Sequence, residues 1–91
     1  MSKVVEKIFK TESVKDIITV FALIRPLPAL DGMFNRYRRE AFVSGEFAEV
    51  YGRLFKEGVL VDDGNLAAKG PNWKAPQFFI EHQKLAEEQK I

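Results

Sequence analysis

Apolar positions recur along this chain with a spacing that switches from helical to strand-like and back. Within residues 3–10, Val4, Val5, Ile8 and Phe9 fall on one side of a helix, and Lys3, Glu6, Lys7 and Lys10 on the other. So short an amphipathic helix must dock to persist, because fewer than about three turns are marginal alone. Thr11, Glu12 and Ser13 interrupt it with capping residues. Over residues 14–24, Val14, Ile17, Ile18, Phe21, Leu23 and Ile24 are joined by Val20 and Ala22. This second helix is apolar on nearly all sides and should be the most buried. Arg25-Pro26-Leu27-Pro28 ends it, since the residue before a proline is pushed out of the helical region, and an extended corner is expected. Asp31 can cap a third helix, with Gly32 in its first turn. Leu30, Met33, Phe34, Tyr37 and Ala41 share one face of it; Asn35, Arg36, Arg38, Arg39 and Glu40 share the other.

The next stretch, residues 44–70, carries the strongest local signals. Ser44 is a good N-cap and Glu46 sits well near the positive end of a helix dipole. Phe47, Val50, Tyr51, Leu54 and Phe55 then form one stripe at i, i+3, i+4, i+7 and i+8, and Gly58 stands where a left-handed C-terminal glycine belongs. Val59, Leu60 and Val61 are too short a run for a helix and suit a strand. Asp63-Gly64 fits the centre of a type I′ turn, with Asn65 and Leu66 beginning the return strand. Residues 69–76, with two prolines, a glycine and an asparagine, read as a loop holding Trp73, the one tryptophan. From Gln77 onward, Phe78, Phe79, Ile80, Leu85 and Ala86 predict a last helix that frays over its polar end.

The fold class expected is α+β and mostly helical: about five helices and one β-hairpin in a single domain spanning residues 1–91. A second core would be too small to hold itself together. Charge is nearly balanced, 14 basic residues against 13 acidic, which weakens any argument from gross charge for nucleic acid, an anionic membrane or an acidic substrate. No cysteine is present, so disulfides and thiolate metal sites are excluded. Charges at positions 3, 6, 7 and 10 rule out the apolar run of a signal peptide, and no segment has the ~18 apolar residues of a membrane span. The default is a soluble, cytoplasmic protein.

Catalytic chemistry has no positive support, and no enzyme activity, cofactor, metal or small-molecule substrate is expected. His82 is the sole histidine and reads as a solvated surface residue. Asp62 and Asp63 lack the ligand spacing of a calcium loop and read as turn residues. The basic run holding Arg36, Arg38 and Arg39 is the best candidate for an anionic partner, because guanidinium forks suit phosphate oxygens. Its plainer reading is a solvated face partly neutralised by Glu40. Trp73, flanked by Lys69 and Lys74, is either a partner-binding anchor or an aromatic stacking on bases, or else a lid over the core edge.

In GRLFKEGVLVDDGNLAAKG, and in the helix order of residues 14–69, the chain resembles the winged helix-turn-helix superfamily. That resemblance implies a transcription-regulator-like nucleic-acid-binding domain, with the 46–57 helix in a major groove and the 62–65 turn near the backbone. Arg36, Arg38 and Arg39 would then lie on phosphates, with Arg53 and Lys56 nearest the groove. The same helix, however, presents Glu46, Glu49 and Glu57, and the wing tip is Asp62-Asp63, where phosphates call for cations. A second expectation is therefore a protein-binding inhibitor or adaptor, such as a toxin-immunity or transcription-modulating protein. It would use the acidic 46–63 surface (Glu46, Glu49, Asp62, Asp63) or the loop of Trp73 and Lys74. Locally, SVKDIITVFALI is similar to the first helix of a small phage anti-sigma protein that inhibits host transcription, which points the same way.

Overall fold

The computed structural model describes residues 3–81. Five helices precede an antiparallel hairpin: α1 (Lys3–Thr11), α2 (Val14–Phe21), α3 (Leu27–Tyr37), α4 (Arg39–Val43), α5 (Glu46–Lys56), β1 (Leu60–Asp63) and β2 (Leu66–Lys69). A further helix begins at 77–81. The remainder of the expected last helix, including His82, Leu85 and Ala86, lies outside the described residues. Within them the chain is mostly helical with one two-stranded hairpin, and no helix there is long and apolar enough to cross a membrane.

Two of the helix ends follow the sequence reading closely. Ser13 caps α2, its hydroxyl accepting from the Asp16 amide at 3.1 Å. At the end of α5, Gly58 takes φ +78°, its amide donating to Phe55 O at 3.3 Å and the Val59 amide to Leu54 O at 3.0 Å. This paired closure, a Schellman motif, satisfies carbonyls that a helix end otherwise leaves bare.

Four boundaries differ from expectation. First, α2 stops at Phe21 rather than Ile24. The Leu23 and Ile24 amides bond three residues back, at 3.2 and 3.1 Å, which tightens the chain into a turn and leaves Ile24 exposed. Second, α3 begins at Leu27, with Pro26 extended as its N-cap and Pro28 in its first turn. First-turn amides have no partner within a helix, so proline loses nothing there, and Asp31 falls inside the helix instead of capping it. Third, the expected continuous helix through Ala41 is broken at Arg38 (φ −143°, ψ 58°), which separates α3 from α4. Fourth, the hairpin pairs Asp63 with Leu66, so its two-residue loop is Gly64-Asn65. Gly64 has φ +71° and among the described residues none other than glycine has positive φ, the sign pattern of a type II′ turn and not of I′.

Ser44 also moves by one place. Gly45, at φ +87°, is the N-cap of α5, while the Ser44 hydroxyl still accepts from the Glu46 amide at 3.3 Å.

The core joins every element. Phe9, Ile17, Ile18, Leu30, Phe34, Leu54 and Leu60 are fully buried. As the all-round apolar pattern requires, α2 is deeply buried, from Val14 through Ile17, Ile18, Thr19, Val20 and Phe21. Aromatic rings run from Phe21 to Phe9 (5.2 Å), on to Phe34 (4.9 Å) and Phe47 (4.6 Å), so α2, α1, α3 and α5 meet along one line of contacts. The hairpin is tied to the end of α2 by the Ala67 amide, which donates to Ala22 O at 3.0 Å. Behind it, the Gly70 amide donates to Val59 O at 2.9 Å and the Asn72 amide to Gly58 O at 2.9 Å. These two strands of chain approach so closely that a Cβ on Gly70 would sit on the Gly58 carbonyl.

Candidate functional site

The three arginines of the basic run do not share one helical face. Arg36 lies in the last turn of α3 and Arg39 opens α4, both exposed. Arg38, at the break between them, turns inward. Its Nη1 donates to Phe9 O at 2.9 Å and to Glu12 O at 2.6 Å, and its Nε lies 3.2 Å from the Glu40 carboxylate. The side chain is only 22% exposed. Phe9 O belongs to the last turn of α1, whose carbonyls lack helical partners, so Arg38 caps α1. The expectation of an exposed phosphate contact at Arg38 is corrected accordingly.

Trp73 is likewise engaged inside the molecule. Its Nε1 donates to Thr19 O at 2.8 Å. That carbonyl would ordinarily accept from the Leu23 amide, which the turn at the end of α2 redirects to Val20 O. Lys69 Nζ lies 4.4 Å from the centre of the indole ring, and Phe79 meets the ring edge-on at 6.2 Å. The half-buried ring therefore covers the core edge; Lys74 beside it is exposed.

The sequence-predicted groups of α5 and the hairpin are all exposed. Glu46, Glu49, Arg53 and Lys56 recur at i, i+3, i+7 and i+10 and are all exposed, which places them on one side of the helix. Glu57 follows at its end, and Asp62 and Asp63 are exposed on β1. The hairpin lies beside the helix closely enough that Asp62 acts on the phenol of Tyr51. Burial first, then the charges of Asp62 and Asp31, push that phenol above its ordinary value. Arg53 is turned toward Glu49 at 3.2 Å. From α5 through β1 the exposed charges are thus five carboxylates and two cations, with Arg53 already paired.

Basic groups collect elsewhere. Lys3, Lys7 and Lys10 are exposed on α1, and Arg36 on α3 is near enough to act on Glu6. Lys10 bonds Glu6 at 2.8 Å, lowering the Glu6 carboxyl below its ordinary value and raising its own ammonium. Among the described residues no group of three acidic, histidine or cysteine side chains is placed to hold a metal ion. Sequence reasoning passed over Arg25 and Gly32, which with Arg36 border a groove on α3. The available signal was the spacing of Ala29, Gly32, Met33 and Arg36 at i, i+3, i+4 and i+7. No model of a known protein family matches this chain, and comparison with curated proteins and with solved structures likewise finds no match.

Proposed function

We propose that this chain is a small winged-helix-like binding domain of the inhibitor or adaptor kind, whose α5 and hairpin dock on a basic protein surface. One observation carries the reading. From residue 46 through residue 63 the exposed charges are Glu46, Glu49, Glu57, Asp62 and Asp63, against only Arg53 and Lys56. The order of α2, α3, α5 and hairpin, with the hairpin tied to Ala22, supports the winged-helix comparison. Yet the helix and wing that would meet a duplex carry carboxylates where phosphates need cations, and affinity for DNA grows with each phosphate neutralised. Opposite charge on a protein partner would instead steer association and fix register. Exposed Arg36 and Arg39 keep nucleic acid as the second reading.

The test compares wild type with Glu46→Lys/Asp62→Lys/Asp63→Lys and with Arg36→Glu/Arg39→Glu. The expected result has three parts: no saturable binding of mixed-sequence duplex at low salt, capture of a basic protein weakened by salt, and loss of that capture only in the first variant. Duplex binding that falls steeply with salt and disappears in the second variant would return the chain to the nucleic-acid reading.

A further inference from the structure

A groove runs between α1 and α3, bounded at one end by the residues that follow α2. Its volume of approximately 370 Å³ falls at the lower end of the roughly 300–1,000 Å³ typical of small-ligand sites. Val5, Phe21, Met33 and Tyr37 give it apolar walls, and Arg25 and Arg36 are the charged side chains that line it. Neither arginine is in an ion pair among the described residues. Arg25 Nη1 donates only to the neighbouring Ile24 O, at 3.2 Å, and the Arg36 guanidinium stands 5.7 Å from the centre of the Tyr37 ring. The nearby Glu6 carboxylate, on which Arg36 also acts, is hydrogen-bonded to Lys10.

Gly32 is an independent observation. Glycine within a helix is unfavourable relative to alanine, so its presence wants a reason. The backbone does not supply one, because Gly32 does not have positive φ. Packing does not either, because a Cβ there would meet nothing within 4 Å. Gly32 lines the groove, as does Ala29 one turn earlier, so a longer side chain at position 32 would project into open space bordering it.

We propose that this groove binds a small amphiphilic carboxylate, its short acyl or aryl chain against Met33 and Tyr37 and its carboxylate on Arg25 and Arg36. The lining has no acid to repel an anion, and a guanidinium fork fits a carboxylate in the plane of both groups. An apolar wall beside two unpaired cations selects a ligand with both parts, not a simple anion. This site is separate from the acidic α5 and hairpin surface and stands or falls without it.

Octanoate is the probe, titrated into the full 91-residue chain below its micellar limit and followed by calorimetry and backbone amide shifts. Octylammonium, with the same chain and opposite charge, is the comparator. Octanoate binds saturably with shifts confined to Val5, Gly32, Met33 and their neighbours, octylammonium does not bind, and Arg36→Gln weakens octanoate about tenfold or more. Gly32→Leu places a side chain in open space, so it keeps its thermal melt but loses octanoate. The proposal is overturned by equal binding of octylammonium, by octanoate binding that persists in folded Gly32→Leu, or by no octanoate binding to wild type.

Discussion

Removing the guanidinium of Arg38 should unfold the protein at a markedly lower temperature while leaving its apolar contacts in place. Arg38→Met is the clean perturbation, since methionine keeps an unbranched apolar stem of similar reach. The loss is two charge-assisted hydrogen bonds, to Phe9 O and Glu12 O. Each is worth about 1.5–3 kcal/mol. The side chain is partly exposed, so water recovers some of this, and the exposed Glu40 contact adds little. A net cost of about 2–3 kcal/mol follows, near the lower end of the sum. For a domain of this size each kcal/mol moves the midpoint by about 4–8 °C, giving a drop of roughly 10–20 °C. Thermal and urea melts measure it, with the urea slope expected to stay unchanged because the surface exposed on unfolding is the same. Arg36→Met is the internal control, an exposed residue without an ion pair, and should move stability by no more than about 0.5 kcal/mol. Equal, small shifts in both variants would refute the capping role and return Arg38 to the surface.

Trp73→Phe keeps an aromatic ring but leaves Thr19 O without its donor, and should cost about 1–3 kcal/mol in a urea melt; an unchanged midpoint would detach the indole from α2. Gly70→Ala pushes a Cβ onto the Gly58 carbonyl, so it should be the most damaging glycine substitution, whereas Gly52→Ala, where a Cβ meets nothing, should stabilise α5 by about 1 kcal/mol. At Gly64, valine has room but the wrong φ, and a loss of roughly 1 kcal/mol or more is expected by thermal melt. The Tyr51 phenol is raised in the folded state, so the fold holds its proton more tightly than the unfolded chain does. Stability from this group is therefore full below the ordinary phenol value and is lost as pH rises through the higher folded value. Melts in the alkaline range should show this decline flattened in Tyr51→Phe; an identical decline would remove Tyr51 as its source.

What could be read from the sequence was local. Ser13 and Gly58 act within a few residues of themselves, and the stripe of Phe47, Val50, Tyr51, Leu54 and Phe55 needs only helical spacing to be recognised. The hairpin was visible through Gly64, though its turn was displaced by one residue. Asp63 is as tolerable in a strand end as in a turn, and only the pairing with Leu66 decides between them. The break at Arg38 was invisible for a different reason. Nothing in the periodicity of α3 and α4 marks it, because the residue that leaves the helix does so to reach carbonyls 26 and 29 positions away. The same holds for Trp73, whose partner lies 54 positions earlier.

These long-range contacts share one task. Three of the helices that build the core, α1, α2 and α5, run only 9, 8 and 11 residues, so unsatisfied terminal carbonyls are a large part of each. The carbonyl end of α1 is closed by Arg38, that of α2 by Trp73, and that of α5 by Asn72, whose side-chain Nδ2 donates to Glu57 O at 2.8 Å. Each donor comes from another part of the chain, so capping and tertiary assembly are one event here. This bears directly on function. Arg38 and Trp73, both expected as partner contacts, already donate to carbonyls at helix ends. The two proposed binding sites draw on other groups: the exposed carboxylates of α5 and the hairpin, and the guanidiniums of Arg25 and Arg36, which have no ion pair among the described residues. A variant at either of those sites should change binding without changing the melt, and one at Arg38 or Trp73 should do the reverse.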